Sequence, residues 1–339
     1  MTFRRRLFLN PLAVPSALAH ALARATVHTL AFALVVSPAH FAARGQENPG
    51  SSEAPASKGS LAHSGSPENS AGTRTSTFFP GGTLVAPYVG HMPEPVSGLR
   101  KEIGNSRMRL TIGAPLDVWE LWLADDGTAR LRLGIDFFMQ ALTTSSEGLR
   151  LQIDAADGWF GGHVASRWDL QDASVSVRLR ILHLSGHMVD GHFDNETGSW
   201  KDGREPIPFT RDFGELSAAV STSISSLTIR GFAGTSYATL IRPDNIKRWA
   251  FLGGFDVHTA SLLASDGPFP LHLYAGYTLT LAGIPEYTGT NSIEAGVKFG
   301  EWEGRGIRVY AGYYAGQMMF TQYYDLGTEH WAIGFGFEL

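Results

Sequence analysis

Apolar and polar residues alternate along the chain from about residue 77 onward. In five segments every odd-numbered position is apolar, and the residues between are mostly polar, charged or glycine: residues 131–141, 175–181, 271–281, 293–299 and 307–315. In the first segment, Phe138 is the one large apolar side chain at an even-numbered position. Alternation with a period of two is typical of β-strands that have one apolar and one polar face. The pattern therefore predicts an all-β protein.

Two architectures use strands with one apolar and one polar face, the soluble sandwich and the transmembrane barrel. The alternating segments run for about ten residues, which crosses a bilayer at a tilt, whereas globular strands average about five or six. The polar face also carries charges of both signs, as expected of a lumen that pairs them: Arg132, Asp136, Arg178, Arg180, Arg230, Asp256, Glu294, Lys298 and Arg308. Both features favour a transmembrane antiparallel β-barrel.

The C-terminus gives the most specific signal for a barrel. Apolar and aromatic side chains occupy alternate positions up to the last residue: Trp331, Ile333, Phe335, Phe337 and Leu339. At the edge of a soluble sheet such a strand would be an aggregation site. The pattern resembles the C-terminal signature by which outer-membrane barrels are recognised for assembly, with leucine where an aromatic residue is usual. It predicts that the C-terminal residue lies inside the last strand and that the assembly machinery is a partner.

The length of the alternating region sets the number of strands. Residues 77–339, at about 20 to 25 residues for each strand and connection, correspond to 10 to 12 strands, and bacterial single-chain barrels have even counts. We predict 12 strands, with 10 as the alternative.

The alternation also predicts which side chains face the lipid. Four apolar residues are expected to point outward: Phe137, Leu279, Val309 and Phe335. Arg178 and Arg180 share the opposite face, since a guanidinium on the lipid side would cost about 2–4 kcal/mol near the midplane. We expect both arginines to point into the lumen and to meet acids such as Asp136, Asp256 or Glu294.

The first 76 residues have a different composition. Arg4, Arg5 and Arg6 precede an apolar run at residues 30–36, and small residues follow at Ser37 and Ala39. This order predicts an export signal peptide at residues 1–39, with an alternative end near residue 45. Residues 46–76 are rich in Ser, Gly and Pro, which predicts a disordered linker. The expected destination is the cell outer membrane, reached through the periplasm.

The overall composition excludes several classes of function. The mean hydropathy of -0.05 excludes a bundle of membrane helices, each of which needs about 20 consecutive apolar residues. A net charge of -5 gives no electrostatic basis for binding nucleic acid. The chain has no cysteine, so a disulfide framework, a thiolate metal site and a cysteine nucleophile are all excluded.

Two short segments resemble a bacterial family of predicted outer-membrane barrels, the domain-of-unknown-function 1207 family. The first runs from Phe78 through the Pro87-Tyr88 pair to Pro95, with Met92 where the family carries an acid. The second is the His-x-Ser-x-His-x-x-Asp stretch at residues 183–190, with Gly191 where a second acid is usual. The resemblance implies an outer-membrane barrel and no assigned activity.

The second segment also contains a candidate catalytic pair. His183 and Ser185 continue the odd-numbered apolar series, so both should face outward near the end of a strand, about 6–7 Å apart. His183 would act as general base to Ser185, and Asp190 is the candidate third residue, with Asp194, Asn195, Asp212 and Glu215 as alternatives. An outward His-x-Ser pair resembles outer-membrane phospholipase A and lipid A deacylase. That resemblance implies a lipid ester hydrolase acting on membrane lipids, with calcium as the only cofactor to consider.

Two other interpretations of this stretch stay open. It is also typical of a polar strand end leading into an extracellular loop. A weaker alternative is a metal site, for which the ligands would be His183, His187, His192 and Asp194. Histidines four residues apart are close neighbours on a helix, however, whereas on an extended strand they lie about 13 Å apart. The primary prediction is therefore an outer-membrane barrel of unassigned activity with a largely occluded, charged lumen and a structural or narrow-channel role. The alternative is the lipid hydrolase.

Overall fold

The computed structural model describes residues 76–146, 150–263, 269–283 and 285–338. The predicted signal peptide, the predicted linker apart from Ser76, and Leu339 lie outside the described residues. Within these ranges, no helix combines the length and apolar character that crossing a membrane would require.

Almost all regular structure in the described residues is β-strand. The first eight strands are β1 Ser76–Phe78, β2 Ser97–Glu102, β3 Arg107–Trp122, β4 Ala129–Ser146, β5 Arg150–Asp169, β6 Ala173–Met188, β7 Phe193–Asp194 and β8 Ser199–Trp200. The others are β9 Phe209–Ile224, β10 Leu227–Arg242, β11 Trp249–Thr259, β12 Leu271–Gly283, β13 Tyr287–Gly300, β14 Gly306–Gln317 and β15 Gly327–Glu338.

The long strands form a closed antiparallel barrel. Twelve strands, β2 to β6 and β9 to β15, each pair with two neighbours, and β15 returns to pair with β2. The closing ladder is short, joining residues 97–102 of β2 to residues 332–337 of β15. β7 and β8 form a separate two-stranded hairpin in the connection between β6 and β9. The predicted all-β barrel of 12 strands is confirmed.

The outer face of the wall is apolar, as the alternation predicts. Phe137 is 69% exposed, and the other three side chains expected to face outward are exposed as well: Leu279, Val309 and Phe335. The nine charged residues predicted for the inner face are all buried. Phe138, the exception in its strand, is buried inside the barrel and stacks on Trp159 with ring centroids 5.3 Å apart. An apolar cluster inside the lumen explains why this one position breaks the pattern.

The first barrel strand is interrupted. Phe78 of β1 pairs with Trp119 of β3, and Gly98 of β2 pairs with Thr111 of the same strand. Between Phe78 and Gly98 the chain has nineteen residues, 79–97. Between their partners Thr111 and Trp119, β3 has only seven, 112–118. The excess chain turns into the barrel, so residues 79–96, which we call the luminal segment, are not part of the wall.

The two ends of the barrel differ. The terminal end holds β1, the last residues of β15 and the connection at residues 260–270, and the loop end holds the connections at residues 189–208 and 318–326. Residues 318–326, which we call the cap, fold inward, since Thr321, Gln322 and Tyr323 form a short 3-10 turn and are buried. The luminal segment and the cap therefore approach the middle of the barrel from opposite ends.

Candidate functional site

The luminal segment has a composition that disfavours strand pairing. Its prolines have no N–H to donate to a ladder: Pro80, Pro87, Pro93 and Pro95. Gly82 and Gly90 adopt positive φ angles of 65° and 79°, which few other residues tolerate. The apolar side chains in its middle part are nevertheless buried: Leu84, Val85, Tyr88 and Val89. These residues pack in the lumen against inward side chains of the wall, so the segment is held by tertiary contacts.

Arg230 of β10 binds the backbone of the segment directly. Its Nη1 donates to the carbonyl of Ala86 at 2.8 Å, and its Nη2 donates to the carbonyl of Pro87 at 2.9 Å. Asp256 on the neighbouring strand fixes the same guanidinium, with Oδ2 2.6 Å from Nη2. The pair is buried, and hydrogen bonds to a charged donor are stronger than neutral ones.

Tyr88 lies at the centre of the contact between the segment and the wall. Its hydroxyl donates to Ser217 Oγ at 3.1 Å, and its ring stacks on Phe232 with centroids 4.2 Å apart. The guanidinium carbons of Arg178 and Arg230 each lie 5.0 Å from the ring centroid. Two cation–π contacts on one buried ring favour this side chain over an aliphatic one.

The next residue, Val89, is clamped at its backbone. Its N–H donates to Asp256 Oδ2 at 3.4 Å, and its carbonyl accepts from Thr278 Oγ1 at 2.9 Å. Gly276 faces it from β12, and a Cβ placed there would come within 2.6 Å of the Val89 Cβ. The wall therefore leaves room for the segment by having glycine at this inward position.

Glu94 forms the strongest ion pair between the segment and the wall. Its carboxylate accepts two hydrogen bonds from Arg178, at 2.5 Å from Nη2 and 3.1 Å from Nη1. Arg180 lies alongside, with Nη1 donating to the carbonyl of Pro93 at 3.4 Å and to Glu215 Oε1 at 3.5 Å. His91 Nε2 is 3.9 Å from the other oxygen of Glu215. This bidentate arrangement fixes the C-terminal half of the segment.

The two arginines point into the lumen as predicted, but only one of the three acids suggested for them is a partner. Arg180 Nε lies 3.7 Å from Asp136. Asp256 pairs with Arg230 instead, and Glu294 lies 3.8 Å from Arg308. The principal acid for Arg178 is Glu94, which the strand pattern could not indicate because it is not on a strand.

The ion pair of Glu94 makes the stability of the segment dependent on pH. Burial raises the pKa of Glu94, but Arg178 and Arg180 outweigh it and hold that pKa below its ordinary value of 4.5. A depressed carboxyl pKa contributes stability that is complete above the unfolded value and is lost as the pH falls through the folded one. We therefore expect the thermal midpoint to fall as the pH is lowered from 5 toward 3, in the window that begins at about 4.5.

Glu94→Gln isolates this contribution, because the amide cannot titrate. Its thermal midpoint should be lower than that of the parent protein at pH 6, and the difference should shrink as the pH approaches 3. A constant difference between the two proteins across this range would contradict the assignment.

The cap closes the loop end through a second set of buried contacts. Asp157 of β5 accepts hydrogen bonds from the Thr321 N–H at 3.0 Å and from its hydroxyl at 2.6 Å. Gln322 Nε2 donates to the carbonyls of Gly186 and Ile207, at 3.0 and 2.9 Å. The cap is thereby fixed both to the wall and to the connection before β9.

Two larger spaces remain on either side of the luminal segment. A vestibule of about 780 Å³ at the terminal end is lined by inward hydroxyl and arginine side chains: Ser174, Ser176, Ser221, Ser223, Thr228, Arg130, Arg132 and Arg167. A cavity of about 160 Å³ lies between the segment and the cap, and Gly90, Met92 and Met319 are among its lining residues. The segment therefore separates the vestibule from the loop-end cavity.

The predicted catalytic residues lie on the outer face of β6 at the loop end. Ser185 Oγ is 2.8 Å from Nε2 of His187, and His183 Nδ1 is 2.5 Å from Asp212 Oδ1 on β9. No hydrogen bond joins His183 to Ser185 among the described residues. Asp212 is directly opposite His183 in the register of the two strands, so His183 forms its hydrogen bond with Asp212 and not with Ser185. The geometry thus offers His187 as the base to Ser185, where the sequence analysis named His183.

The remaining predicted residues are not gathered with this pair. Asp190 is exposed in a 3-10 turn after the end of β6. His192 is buried in the same turn, with Nε2 2.9 Å from the carbonyl of Lys201. In the described part of the chain, no group of three histidine or acidic residues has an arrangement suited to a metal ion. The four residues of the metal alternative are therefore not brought together.

No family model matches the chain, and no curated protein matches it. Among solved structures, the beta domain of the Bordetella autotransporter BrkA is 15% identical, with 72% of this chain and 96% of that chain covered and a TM-score of 0.39. A bacterial polysaccharide outer membrane secretin is 10% identical, with 73% and 99% covered and a TM-score of 0.28. The closed barrel is established by the strand pairing of the chain itself, and the resemblance to the domain-of-unknown-function 1207 family stays a prediction.

Proposed function

We propose that this protein is an outer-membrane channel for small polar solutes that the luminal segment closes. The observation that supports the proposal is the way the segment is held: side chains of the wall bind its backbone carbonyls, and its apolar residues are buried inside the barrel. A segment held by hydrogen bonds and ion pairs to a polar lumen can leave it without unfolding the strands. A structural barrel would need no such separable element.

The lengths of the connections support one orientation in the membrane. Bacterial barrels have short periplasmic turns and longer extracellular loops. The longest connection, residues 189–208, would then be extracellular together with the cap, and the terminal end, with its 780 Å³ vestibule, would face the periplasm. The luminal segment would enter from the periplasmic side, where the preceding chain lies.

Twelve strands enclose a narrower space than the 16 to 18 strands of porins. With the segment in place, apolar residues such as Leu84 and Val89 fill the middle of the lumen. With the segment displaced, the wall would present hydroxyl groups and charged side chains beside the apolar cluster of Phe138 and Trp159, and its polar part suits hydrated solutes of low mass. The chemistry of the exposed wall supports polar cargo and not lipid.

Gly276→Leu tests the proposal, because a leucine there needs the volume that Val89 occupies. Overpacking of this kind costs about 1–3 kcal/mol, which should shift the segment toward release. In liposomes loaded with glucose, we expect several-fold faster efflux through this variant than through the parent protein. Gly231→Leu is the matched control, since Gly231 faces outward and has no atom within 4 Å of its Cβ position. Equal efflux from all three proteins would contradict a closing role for the segment.

The second candidate function is the lipid ester hydrolase. The observation in its favour is the 2.8 Å contact between Ser185 Oγ and His187 Nε2 on the lipid-facing side. The same liposomes, made with phosphatidylethanolamine, report fatty-acid release alongside glucose efflux. Release that Ser185→Ala abolishes would support hydrolysis with Ser185 as nucleophile. If the parent protein releases no fatty acid, the candidate is discarded, and the efflux result stands independently.

A further inference from the structure

The charges inside the barrel are not evenly compensated. Near the terminal end, the inward arginines are paired with acids, as Arg132 is with Asp117 and Glu120 at 3.0 and 2.6 Å. Arg100 of β2 and Arg109 of β3 also face the lumen, yet neither forms an ion pair with any acid in the described ranges. They are direct partners in the register of the two strands, so two like charges lie side by side.

Arg100 is the more deeply buried of the two. The residue is 3% exposed, and neither Nη1 nor Nη2 has a hydrogen-bond partner among the described residues. Its guanidinium lies over Gly312 of β14, where a Cβ would come within 3.0 Å of both nitrogens. The absence of a side chain at that glycine therefore leaves room for the guanidinium group. Within the part of the chain that the structure describes, no acceptor forms a hydrogen bond with its Nη1 or Nη2.

The guanidinium of Arg109 contacts the sulfur atoms of two methionines, where a carboxylate would be expected. Its Nη1 is 2.7 Å from Met92 Sδ and 3.6 Å from Met319 Sδ, one thioether from the luminal segment and one from the cap. A thioether is a weak acceptor with no charge. Neither contact compensates the positive charge of the guanidinium.

Three acids near this pair of arginines are already engaged. Glu102, two residues from Arg100 on the same face of β2, accepts from Asn105 Nδ2 at 2.6 Å and lies 3.8 Å from His330 Nε2. Glu294 accepts from the Tyr274 hydroxyl at 2.8 Å and lies 3.8 Å from Arg308. Glu94 holds Arg178 through both of its oxygens. A buried charge without a partner is strongly unfavourable, so Arg100, lying beside the half-buried Arg109, calls for a counter-ion.

A cavity beside the two arginines has the size for a single small ion. It measures about 40 Å³, and its lining includes Arg100, Arg109, Thr111 and Tyr310, together with the engaged carboxylates of Glu94 and Glu294. A space measured in this way needs about 10–15 Å³ to hold one water molecule, so the cavity can accept a small inorganic anion together with one or two waters. We propose that this cavity binds a monovalent inorganic anion of the chloride type, held by the guanidinium groups of Arg100 and Arg109. The site is formed by the closed lumen, so its occupancy does not require conduction.

Chloride should then stabilise the folded barrel by mass action. At constant ionic strength, replacing sodium gluconate with sodium chloride should raise the thermal midpoint of the parent protein by roughly 2–4 °C once chloride exceeds its dissociation constant several-fold. Arg100→Gln should remove this dependence. In gluconate it should be at least as stable as the parent, because it no longer buries an unpartnered charge. Arg242→Gln is the matched control: that arginine is exposed and pairs with Asp244 in a connection, so its chloride response should equal the parent's.

A measurement on the parent protein alone keeps the inference testable if Arg100→Gln does not fold. Crystals grown in sodium bromide should show an anomalous peak in the lumen within hydrogen-bond distance of Arg100 and Arg109. Absence of that peak, or a chloride response that is the same in Arg100→Gln as in the parent protein, would overturn the proposal. Glucose efflux through Gly276→Leu is unaffected by either outcome, so the two proposals fail separately.

Discussion

Replacing Arg178 with leucine is expected to lower the free energy of unfolding by about 3–5 kcal/mol, the usual cost of breaking a buried ion pair by removing one partner. The leucine leaves the Glu94 carboxylate inside the lumen without its bidentate donor. It also removes one of the two cation–π contacts on Tyr88. The measurement is the temperature at which the folded, fast-migrating gel band converts to the unfolded form, together with urea unfolding in micelles.

Two controls separate the ion pair from general damage to β6. Val177→Leu changes the adjacent residue, which faces outward, and should unfold like the parent protein. The double variant Arg178→Leu with Glu94→Leu removes both charges and should recover much of the lost stability, since no carboxylate is then stranded. If Arg178→Leu unfolds like the parent, the luminal ion pairs do not hold this barrel together.

Removing the luminal segment altogether is expected to have the largest effect on conduction. Phe79 N bonds to Val118 and Ser97 Oγ bonds to Gly113, so the two ends of the segment are about five strand residues apart along β3, or roughly 17 Å. A linker of about six glycine and serine residues can span that distance in place of residues 80–95. In planar bilayers we expect the mean current to rise by at least about tenfold, toward that of an open barrel of this width.

A matched replacement checks that shortening a connection is not itself the cause. Exchanging residues 195–198, between the two strands of the small hairpin, for glycine and serine alters the loop end and leaves the lumen intact. That protein should conduct like the parent. A linker variant that folds, shows the heat-dependent gel shift and still fails to conduct would show that the cap alone closes the lumen.

The strand pattern was sufficient to predict the wall of this barrel. A period of two fixes which face of each strand is apolar, and a one-residue slip would exchange the two faces, so Phe137 and Arg180 follow from the same register. The number of strands followed from length, because the connections are short on average. These are local regularities, repeated many times, and the sequence displays them directly.

The contents of the lumen could not be predicted in the same way. Residues 79–96 have no periodicity, and their burial depends on partners distant in the sequence, from 33 residues away for Leu84 and Asp117 to 84 residues away for Glu94 and Arg178. The prolines and glycines of the segment disfavour a strand, but they do not predict that the segment lies inside the barrel. The outer site shows a similar limit: spacing alone makes His183 and His187 equivalent neighbours of Ser185, and the choice between them depends on Asp212 lying opposite His183. A signal was available in Tyr88, an amphipathic aromatic residue between prolines and glycines, but it identified no partner.

The ladder between β2 and β15 also bears on the order of folding. Closing the barrel brings residues 97–102 to residues 332–337, across most of the folded chain, and only six residue pairs join them. The hairpin of β4 and β5, by contrast, registers eighteen pairs across a short turn. Entropy lost in joining distant parts of a chain is regained only when their contacts form, so long-range pairings with few contacts form late. The hairpins should therefore appear first as a curved, open sheet, and this short ladder should be the last part of the wall to form.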